Sequence, residues 1–446
     1  MVDPLPIIPF RKPAHGRVTL PGSKSVTNRA LVMAALADGT TRLLQPLLSR
    51  DSRLMLDALR ALGFGVRLAP DESWIEVDGA GGAIPRDHAE LHVGNAGTVA
   101  RFLTALLVHH PGGRYRLDGD PAMRERPMRG LLEALGDLGA RFTFTDGDWC
   151  FPFTMHTDGW SGSSLRVNAS ASSQMVSGLL LSAARAPEHV RIQCPGTRPA
   201  FVELTAEMMR RAGVTVRGDV NSGHLTVDPG PYYFPEAGYA VEPDVTAASY
   251  FMALPLAAGG SVEIDGIGGP LMQGDARFIN VAAAYGVRGE NSTDGLRISR
   301  TEVSDTPAVV DFETFSDTFL TLAAVAPLLP APFTIRGIGH TRHQETDRIH
   351  AMATELRRLG QGIEEGADWI RITPDREALR ALALKGGATI QTYEDHRVAM
   401  SFGILGCADI RGDGEPWLRI ADPGCCAKTF PRFFEVLDGL REGAEA

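Results

Sequence analysis

One pattern of apolar and polar positions recurs along the chain. In each copy an amphipathic helix ends at a glycine, and a short run of β-forming residues follows. The helix-ending glycines are spaced by 76, 74, 73, 74 and, in a weaker sixth copy, 79 residues: Gly63, Gly139, Gly213, Gly286, Gly360 and Gly439. Glycine fits because a helix commonly closes in the left-handed conformation, which residues with a side chain resist. The spacing predicts six structural repeats.

A second series of helices has the same period but is apolar on almost every side. Their predicted starts are near Ser25, Thr98, Ser173, Thr246, Thr318 and His396. A helix without a polar face has to be buried all round. Each repeat therefore predicts one buried helix, one amphipathic helix and intervening strands, which is an α/β architecture of six repeated units.

Length and composition are those of a globular protein with more than one domain. At about 150 residues per domain, the 446 residues suffice for two or three. Hydrophobic residues (44%) and charged residues (22%) are near globular averages. The net charge of −10 disfavours nucleic acid and anionic membranes as partners, and no apolar run is long enough to span a membrane.

The cysteines and the N-terminal segment indicate the compartment. Residues 1–12 lack the apolar core of a secretory signal. The five cysteines are odd in number and form no CxxC pair, and the adjacent Cys425 and Cys426 are poorly placed to bridge each other. We therefore expect reduced thiols and a cytoplasmic location.

Polar and reactive residues are concentrated where the apolar helices begin. Buried helix N-termini present unpaired N–H groups and a partial positive charge, which suit phosphate and carboxylate groups. Ordinary N-capping explains one such start, but added Lys, Arg and His favour anion binding. The segments are Gly22-Ser23-Lys24-Ser25, Gly94-Asn95-Ala96-Gly97-Thr98, Ser170-Ala171-Ser172-Ser173-Gln174, Asp317-Thr318 and Asp395-His396-Arg397.

Two common kinds of site do not fit these motifs. A P-loop requires Gly, four residues, Gly and then Lys, whereas five residues separate Gly16 from Gly22 and Ser23 comes before Lys24. Two histidines and a glutamate lie within residues 340–345, but no tetrahedral ligand pattern follows. The sequence therefore predicts neither nucleotide hydrolysis by a P-loop nor a metal site.

The motifs resemble the EPSP synthase (3-phosphoshikimate 1-carboxyvinyltransferase) family along essentially the whole chain. The segments that carry the resemblance are Leu20–Ser25 with Asn28 and Arg29, Gly94–Thr98 with Arg101, Arg124–Pro127, Ser172–Gln174, Asp317, Glu345–Arg348, Asp395–Arg397 and Ala427–Pro431. Each motif alone is moderately specific. Their order and spacing together make the resemblance specific.

The resemblance implies a fold and a domain organisation. The fold is α/β, with two similar domains that each contain three βαβαββ units around buried helices, an inside-out α/β barrel. One domain is expected at residues 23–242, and the other combines residues 1–22 with 243–446. The active site is expected in the cleft between them.

The resemblance also implies a reaction. The enolpyruvyl group of phosphoenolpyruvate moves to the 5-hydroxyl of shikimate 3-phosphate, giving 5-enolpyruvylshikimate 3-phosphate and phosphate. This is a step of the shikimate pathway towards chorismate and the aromatic amino acids. No metal or organic cofactor is implied, the family expectation is a monomer, and glyphosate is the expected inhibitor.

Individual residues receive roles by the same resemblance. Asp317 is the expected base on the acceptor hydroxyl, Glu345 the expected proton donor to C3 of phosphoenolpyruvate, and Lys24 contacts both substrates and assists proton transfer. The residues expected at shikimate 3-phosphate are Lys24, Ser25, Arg29, Ser172, Ser173, Gln174, Thr197, Asp317, His340 and Gln344. Those expected at phosphoenolpyruvate are Lys24, Asn95, Gly97, Arg126, Gln174, Arg348, Arg397 and Lys428. Arginine suits these oxyanions because its guanidinium binds two oxygens at once.

Three positions depart from the family pattern. Gln344 stands where Lys is usual, which removes a positive charge near the reacting hydroxyl. His340 stands where Asn is common. After Thr197, the aromatic residue of the segment comes one place late, at Phe201. By the resemblance all three lie on the acceptor side, so they bear on acceptor identity or rate more than on use of phosphoenolpyruvate.

Two other functions remain open. An enolpyruvyl transferase with another acceptor is one, although the enzyme for UDP-N-acetylglucosamine carries Lys-Asn and a loop Cys, where this chain has Lys24-Ser25 and no Cys in residues 123–128. The other is an inactive paralogue that binds phosphorylated metabolites. Asp317 and Glu345 argue against it, because binding alone needs neither a base nor an acid.

Overall fold

The computed structural model describes residues 2–303 and 305–446, so Met1 and Ser304 lie outside the described residues. The chain divides into two compact units. Unit 1 combines Met1–Pro21 with Pro243–Ala446, and unit 2 is Gly22–Glu242. No helix of the described residues is long and apolar enough to cross a membrane.

The strands of the described residues are mostly three to eight residues long. They are β1 (Leu5–Ile7), β2 (Ala14–Val18), β3 (Asp38–Leu44), β4 (Gly65–Leu68), β5 (Trp74–Ala80), β6 (His88–His92), β7 (Pro111–Asp118), β8 (Arg141–Phe144), β9 (Phe153–Asp158), β10 (Ser164–Arg166), β11 (Val190–Gln193), β12 (Thr215–Asp219), β13 (His224–Asp228), β14 (Tyr239–Ala240), β15 (Gly260–Asp265), β16 (Val287–Asn291), β17 (Gly295–Arg300), β18 (Ala308–Asp311), β19 (Phe333–Arg336), β20 (Gly362–Glu365), β21 (Trp369–Thr373), β22 (Ala388–Ile390) and β23 (Leu418–Ile420).

The α-helices alternate with these strands. They are α1 (Lys24–Leu36), α2 (Arg50–Ala61), α3 (Gly97–Leu106), α4 (Pro121–Arg124), α5 (Arg129–Asp137), α6 (Gln174–Ala183), α7 (Ala200–Arg211), α8 (Val245–Ala258), α9 (Phe278–Ala284), α10 (Phe319–Val325), α11 (Arg348–Arg358), α12 (Arg376–Leu384), α13 (His396–Gly406) and α14 (Phe433–Glu445).

Unit 2 contains three four-stranded sheets of one design, in the orders β14-β3-β5-β4, β6-β7-β9-β8 and β10-β11-β13-β12. In each sheet the first two strands pair in parallel and the remaining neighbours pair antiparallel. A parallel pair needs a crossover connection, and the buried helix of the repeat makes it in the second and third sheets. The short β14, at the end of the unit, completes the sheet that begins with β3.

Unit 1 repeats the design. Its four-stranded sheets have the orders β2-β15-β17-β16 and β18-β19-β21-β20, and its third sheet, β1-β23-β22, has three strands. The N-terminal β2 pairs in parallel with β15, and β1 pairs antiparallel with β23. Strands that precede unit 2 in the chain thus complete sheets of unit 1. The six sheets confirm the six repeats.

The apolar helices lie where the pattern predicts. In unit 2, α1, α3 and α6 are almost entirely buried, and in unit 1, α8, α10 and α13 are too. All six begin within one residue of the predicted starts. Their helix starts carry the polar segments, so burial of these helices sets the position of the site residues.

The predicted helix-ending glycines are confirmed in five copies. The φ angles there lie between 80° and 97°, in the left-handed region: Gly63, Gly139, Gly213, Gly286 and Gly360. The sixth prediction is wrong, because Gly439 lies inside α14, which continues to Glu445. In the sheet β1-β23-β22, β1 is the antiparallel partner of β23, so no tight turn is needed at Gly439.

Candidate active site

In unit 1, several of the predicted site residues lie around the guanidinium of Arg348. Arg348 is the first residue of α11 and is 1% exposed. Its Nε donates to Asp395 Oδ2 at 2.7 Å, its Nη1 to Asp317 Oδ1 at 3.0 Å and its Nη2 to Glu345 Oε2 at 2.9 Å. The Oε1 atom of Gln344 accepts a further hydrogen bond from Nη1. One arginine therefore orients both the predicted base and the predicted proton donor.

Two more cations complete this cluster. Arg397 Nη2 donates to Asp317 Oδ2 at 2.8 Å, so both oxygens of that carboxylate are held by arginines. Lys428 Nζ lies 2.9 Å from Glu345 Oε1, which gives the second carboxylate two cationic partners as well. Charge-assisted pairs of this kind fix carboxylates in place.

Local sequence explains why these side chains meet. Asp347 caps α11 by accepting from the His350 amide at 3.0 Å, and Asp395 caps α13 by accepting from the Arg397 amide at 2.8 Å. Asp and Asn are favoured caps because their oxygens satisfy the free N–H groups of the first turn. Asp395 thus serves its own helix and binds Arg348 at the same time.

Carboxylates hold the arginines in the charged state. Burial alone lowers the pKa of Arg348, but the charges of Asp395, Glu345 and Asp317 raise it above its ordinary value. Burial likewise opposes the charge of Arg397, and Asp317 makes the largest contribution to raising its pKa. Both guanidiniums are therefore permanent cations in this cluster.

A further carboxyl lies close to this cluster. Asp275 is buried, and its Oδ2 accepts from Thr246 Oγ1 at 2.5 Å. Burial, followed by the charge of Asp317, raises the pKa of Asp275 to about 7. Asp275 therefore holds a proton well above the pH at which an exposed aspartate loses it.

Two of the residues that depart from the family pattern, Gln344 and His340, have defined contacts. Gln344 accepts from Arg348, a role that a lysine ammonium cannot fill because it has no acceptor. His340 Nε2 lies 2.8 Å from the hydroxyl of Ser316, which directly precedes Asp317. Both substitutions therefore belong to the surroundings of the predicted base.

Unit 2 contains a different kind of cluster, in which buried arginines bind neutral groups. Arg29 on α1 donates to Thr205 Oγ1 (2.7 Å), the Ser25 carbonyl (2.9 Å), the Phe201 carbonyl (3.0 Å) and Ser177 Oγ (3.3 Å). Burial lowers the pKa of Arg29 to about 9, which leaves it charged at neutral pH.

A second buried arginine, Arg101, lies in the middle of α3. Arg101 donates to Gln174 Oε1 at 2.8 Å and to the carbonyls of Pro127 and Gly97 at 2.9 and 3.2 Å. Burial, followed by repulsion from Arg126, lowers the pKa of Arg101 to about 9. Arg126 in turn donates to the carbonyl and side chain of Asn95, at 3.2 and 3.4 Å.

No carboxylate among the described residues pairs with Arg29, Arg101 or Arg126. Burying a charge without a counter-charge is costly unless something anionic binds there. In the cluster of unit 1, carboxylates compensate the buried arginines, whereas the buried Arg29 and Arg101 and the half-buried Arg126 have no carboxylate partner among the described residues. A bound anion would supply the counter-charge that these guanidiniums lack.

The remaining predicted residues of unit 2 lie at helix starts. Lys24 begins α1 and lies 3.5 Å from Asp51 Oδ2. Ser173 precedes α6, and Ser172 Oγ accepts from the Gln174 amide at 3.4 Å. Thr197 does not lie at a helix start. Its amide donates to the Cys194 carbonyl at 3.3 Å.

Sequence reasoning missed several partners of these residues. The side chains that contact the predicted residues are Asp51, Ser177, Thr205 and Asp395, and the charge of Asp317 also acts on the buried Asp275. Only Asp395 carried a signal, because it lies beside His396 and Arg397 in a polar segment at a helix start. The others are distant in sequence from the residues that they contact.

Comparisons with known proteins identify the family. The family described as EPSP synthase (3-phosphoshikimate 1-carboxyvinyltransferase) matches residues 10–437. A protein of Opitutus terrae named 3-phosphoshikimate 1-carboxyvinyltransferase is 46% identical over 445 residues, which cover 99% of this chain and 98% of that protein. The chain belongs to the EPSP synthase family. A relative of the same name from Sulfurovum sp. is 39% identical over 430 residues, covering 96% of both chains.

A solved structure supports the same fold. EPSP synthase from Acinetobacter baumannii superposes with a TM-score of 0.76 at 23% identity, covering 98% of this chain and 97% of that chain. The α/β fold expected from the motifs is therefore confirmed. The two clusters are built from the motifs that carry the resemblance to EPSP synthases, while the role of each residue stays a prediction.

Proposed function

We propose that this protein transfers the enolpyruvyl group of phosphoenolpyruvate to the 5-hydroxyl of shikimate 3-phosphate and releases phosphate. Membership of the EPSP synthase family supports the reaction. The single observation that carries the assignment of residues is the pair of carboxylates, Asp317 and Glu345, that share Arg348 as a hydrogen-bond donor. The reaction needs one group to take a proton and another to give one.

The addition step uses each carboxylate once. Asp317 accepts the proton of the 5-hydroxyl while the hydroxyl oxygen forms a bond to C2 of phosphoenolpyruvate. The electrons of the C2–C3 double bond take a proton at C3 from Glu345, and a tetrahedral intermediate results. Arg348 and Arg397 hold Asp317 through its two oxygens, which fixes the orientation of the carboxylate and keeps it ionised.

The elimination step reverses the role of the acid. Glu345 takes back a proton from C3, the C2–C3 double bond re-forms and the C2–O bond to phosphate breaks. The proton that Asp317 took from the hydroxyl leaves with the phosphate, so the products are an enol ether and inorganic phosphate. Lys428 and Arg348 are the proposed partners of anionic oxygens of phosphoenolpyruvate. A carboxylate that loses cationic partners holds a proton more readily, so ligand binding to Lys428 prepares Glu345 as a donor.

Unit 2 supplies the proposed anion-binding residues. Its buried arginines lack carboxylate partners among the described residues, so carboxylate and phosphate groups of the substrates are suitable counter-charges. We assign Arg29 with Ser25 to the shikimate carboxylate, Ser172 and Ser173 to its phosphate, and Arg126 to phosphoenolpyruvate. Bidentate arginine contacts favour such planar or tetrahedral oxyanions.

A purified-protein assay tests this function. We expect phosphate release from phosphoenolpyruvate that depends on shikimate 3-phosphate, and a loss of at least about 100-fold in kcat for Asp317→Asn and Glu345→Gln, the usual scale of an acid or base. Turnover only with another alcohol would assign another acceptor. Tight binding of both ligands without turnover would indicate an inactive paralogue.

Inhibition, assembly and location belong to the same proposal. Glyphosate is the proposed competitor of phosphoenolpyruvate, because it carries anionic groups that the same cations can bind. The proposed active form is a monomer, which light scattering after gel filtration measures directly. All five cysteines are free thiols, which supports a reducing, cytoplasmic location.

A further inference from the structure

Both ends of helix α11 contact the segment that precedes α13. At the first residue of α11, Arg348 binds Asp395. Near the last turn, Arg358 Nη2 donates to the Thr389 carbonyl at 2.9 Å, and Glu355 accepts from the Gln391 amide at 3.2 Å. The segment that leads to Arg397 is thus tied to one helix along its whole length.

Glu355 is the buried acceptor of this connection. It is 0% exposed, yet it lies on a helix whose other polar residues reach solvent or the catalytic cluster. Its Oε1 accepts from the hydroxyl of Tyr393 at 2.8 Å, and its Oε2 accepts from Arg358 Nη1 at 2.6 Å and from the Gln391 amide. Both carboxylate oxygens are therefore used, and two of the three donors belong to the segment before α13.

That segment has an unusual backbone. Tyr393 and Glu394 have φ angles of 56° and 57°, so two consecutive residues with side chains adopt the left-handed conformation. Such residues persist only where their surroundings hold them, and strain of this kind is concentrated near functional sites. Asp395 follows at once, and its amide donates to the Thr392 carbonyl at 2.9 Å.

We propose that Glu355 is a positioning residue for the reaction, because it anchors the left-handed turn at Tyr393 and Glu394 through the Tyr393 hydroxyl and the Gln391 amide. The inference rests on the proposed function for its kinetic consequence. The turn sets Asp395 against Arg348 and Arg397 against Asp317. The contacts of Glu355 are with Arg358, Gln391 and Tyr393, so it acts on the reaction through these residues.

Kinetics separate a positioning role from a purely structural one. For Glu355→Gln, we expect KM for phosphoenolpyruvate to rise at least fivefold, with less than a twofold change in KM for shikimate 3-phosphate. Tyr393→Phe removes one donor and should shift the same constant in the same direction by a smaller factor. The matched control is Ile372→Val, a buried substitution in β21 of the same unit, which should lower Tm without changing either KM.

A rescue variant sharpens the test. Glycine adopts the left-handed conformation without the strain of a side chain, so adding Glu394→Gly to Glu355→Gln should recover part of the loss in KM for phosphoenolpyruvate. If the kinetic constants of Glu355→Gln and Tyr393→Phe are those of the wild type, the inference is overturned, whether or not Tm falls. So would an equal effect on both substrates that Ile372→Val reproduces.

A second readout does not depend on activity. In wild-type protein without ligands, amide hydrogen exchange over residues 391–397 should be slow, and Glu355→Gln or Tyr393→Phe should accelerate it at least tenfold while Ile372→Val does not. If the wild-type protein has no turnover, the proposed function fails, and exchange still decides whether Glu355 holds the turn. Equal exchange in all variants would refute the anchor.

Discussion

Arg348 and Asp395 lie 47 positions apart in sequence, and Arg348 Nε donates to Asp395 Oδ2 at 2.7 Å with both side chains buried. Removing one partner of a buried pair costs about 3–5 kcal/mol when the other charge is left uncompensated, and the cost is smaller here because Asp317 and Glu345 also contact Arg348. We expect Asp395→Asn to lower the Tm of the protein and to reduce kcat/KM for phosphoenolpyruvate, because Arg348 then loses the group that fixes its plane.

Arg348→Lys tests the pair of Arg348 and Asp395 by changing the arginine. A lysine has one ammonium in place of a planar fork, so it cannot serve Asp395, Asp317 and Glu345 together. We expect at least about a 100-fold loss of kcat/KM, or about 2.7 kcal/mol of transition-state stabilisation. Retention of activity within a factor of three would contradict the arrangement. Arg371→Lys, an exposed arginine of the same unit, is the control and should change neither Tm nor kinetics.

Gln344→Lys introduces the residue that is usual in the family. The wild-type amide accepts from Arg348, and an ammonium in its place repels that guanidinium but adds a positive charge near anionic ligands. We expect altered kcat and a lower glyphosate concentration for half-inhibition. Gln344→Met is the matched control, because it removes the amide without adding charge. Steady-state kinetics identical to wild type for Gln344→Lys would show that position 344 has no influence on the ligands.

Gly97→Ala should weaken the binding of phosphoenolpyruvate. A Cβ atom at Gly97 would lie 2.5 Å from Arg101 Nη1, 2.8 Å from Arg126 Nη2 and 3.0 Å from Gln174 Oε1, so these flexible groups must move apart. We expect KM for phosphoenolpyruvate and the glyphosate concentration for half-inhibition to rise several-fold. KM for shikimate 3-phosphate should change less, and Gly136→Ala, which meets open space in the same unit, should change nothing.

Much of the fold was predictable because it depends on local patterns. Burial forces a helix such as α8 to be apolar on all sides, and the left-handed closure at Gly213 requires glycine, so both leave marks in the sequence. The prediction of a helix end at Gly439 was wrong. In the last repeat β1, from the N-terminal segment, pairs with β23, and no local sequence pattern indicates that pairing.

The site was predictable only as a set of residues. Asp317 and Glu345 stand in recognisable motifs, but their common donor Arg348 and its link to Asp395 depend on contacts between distant segments. The absence of carboxylate partners for Arg29 within the described residues is likewise a property of packing. Pairings of this kind follow from tertiary structure, which single-sequence patterns do not encode.

Asp275 gives the protein a pH-dependent contribution to stability. Burial and the charge of Asp317 raise its pKa to about 7, against about 3.9 for an exposed aspartate. Between these values the folded protein keeps a proton that the unfolded chain has lost. The free energy of unfolding therefore falls as pH rises through this interval.

Asp275→Asn should remove that contribution, because the amide does not ionise and its oxygen can still accept from Thr246. We expect Tm of the ligand-free wild type to fall between pH 5 and pH 8 by more than Tm of Asp275→Asn does, as scanning calorimetry measures. Asp57→Asn on the exposed face of α2 is the control and should keep the wild-type dependence. The contributions of other titrating groups to Tm are the same in both proteins and cancel in this comparison. If Tm depends on pH equally in wild type and Asp275→Asn, Asp275 is already ionised in the folded protein at pH 5.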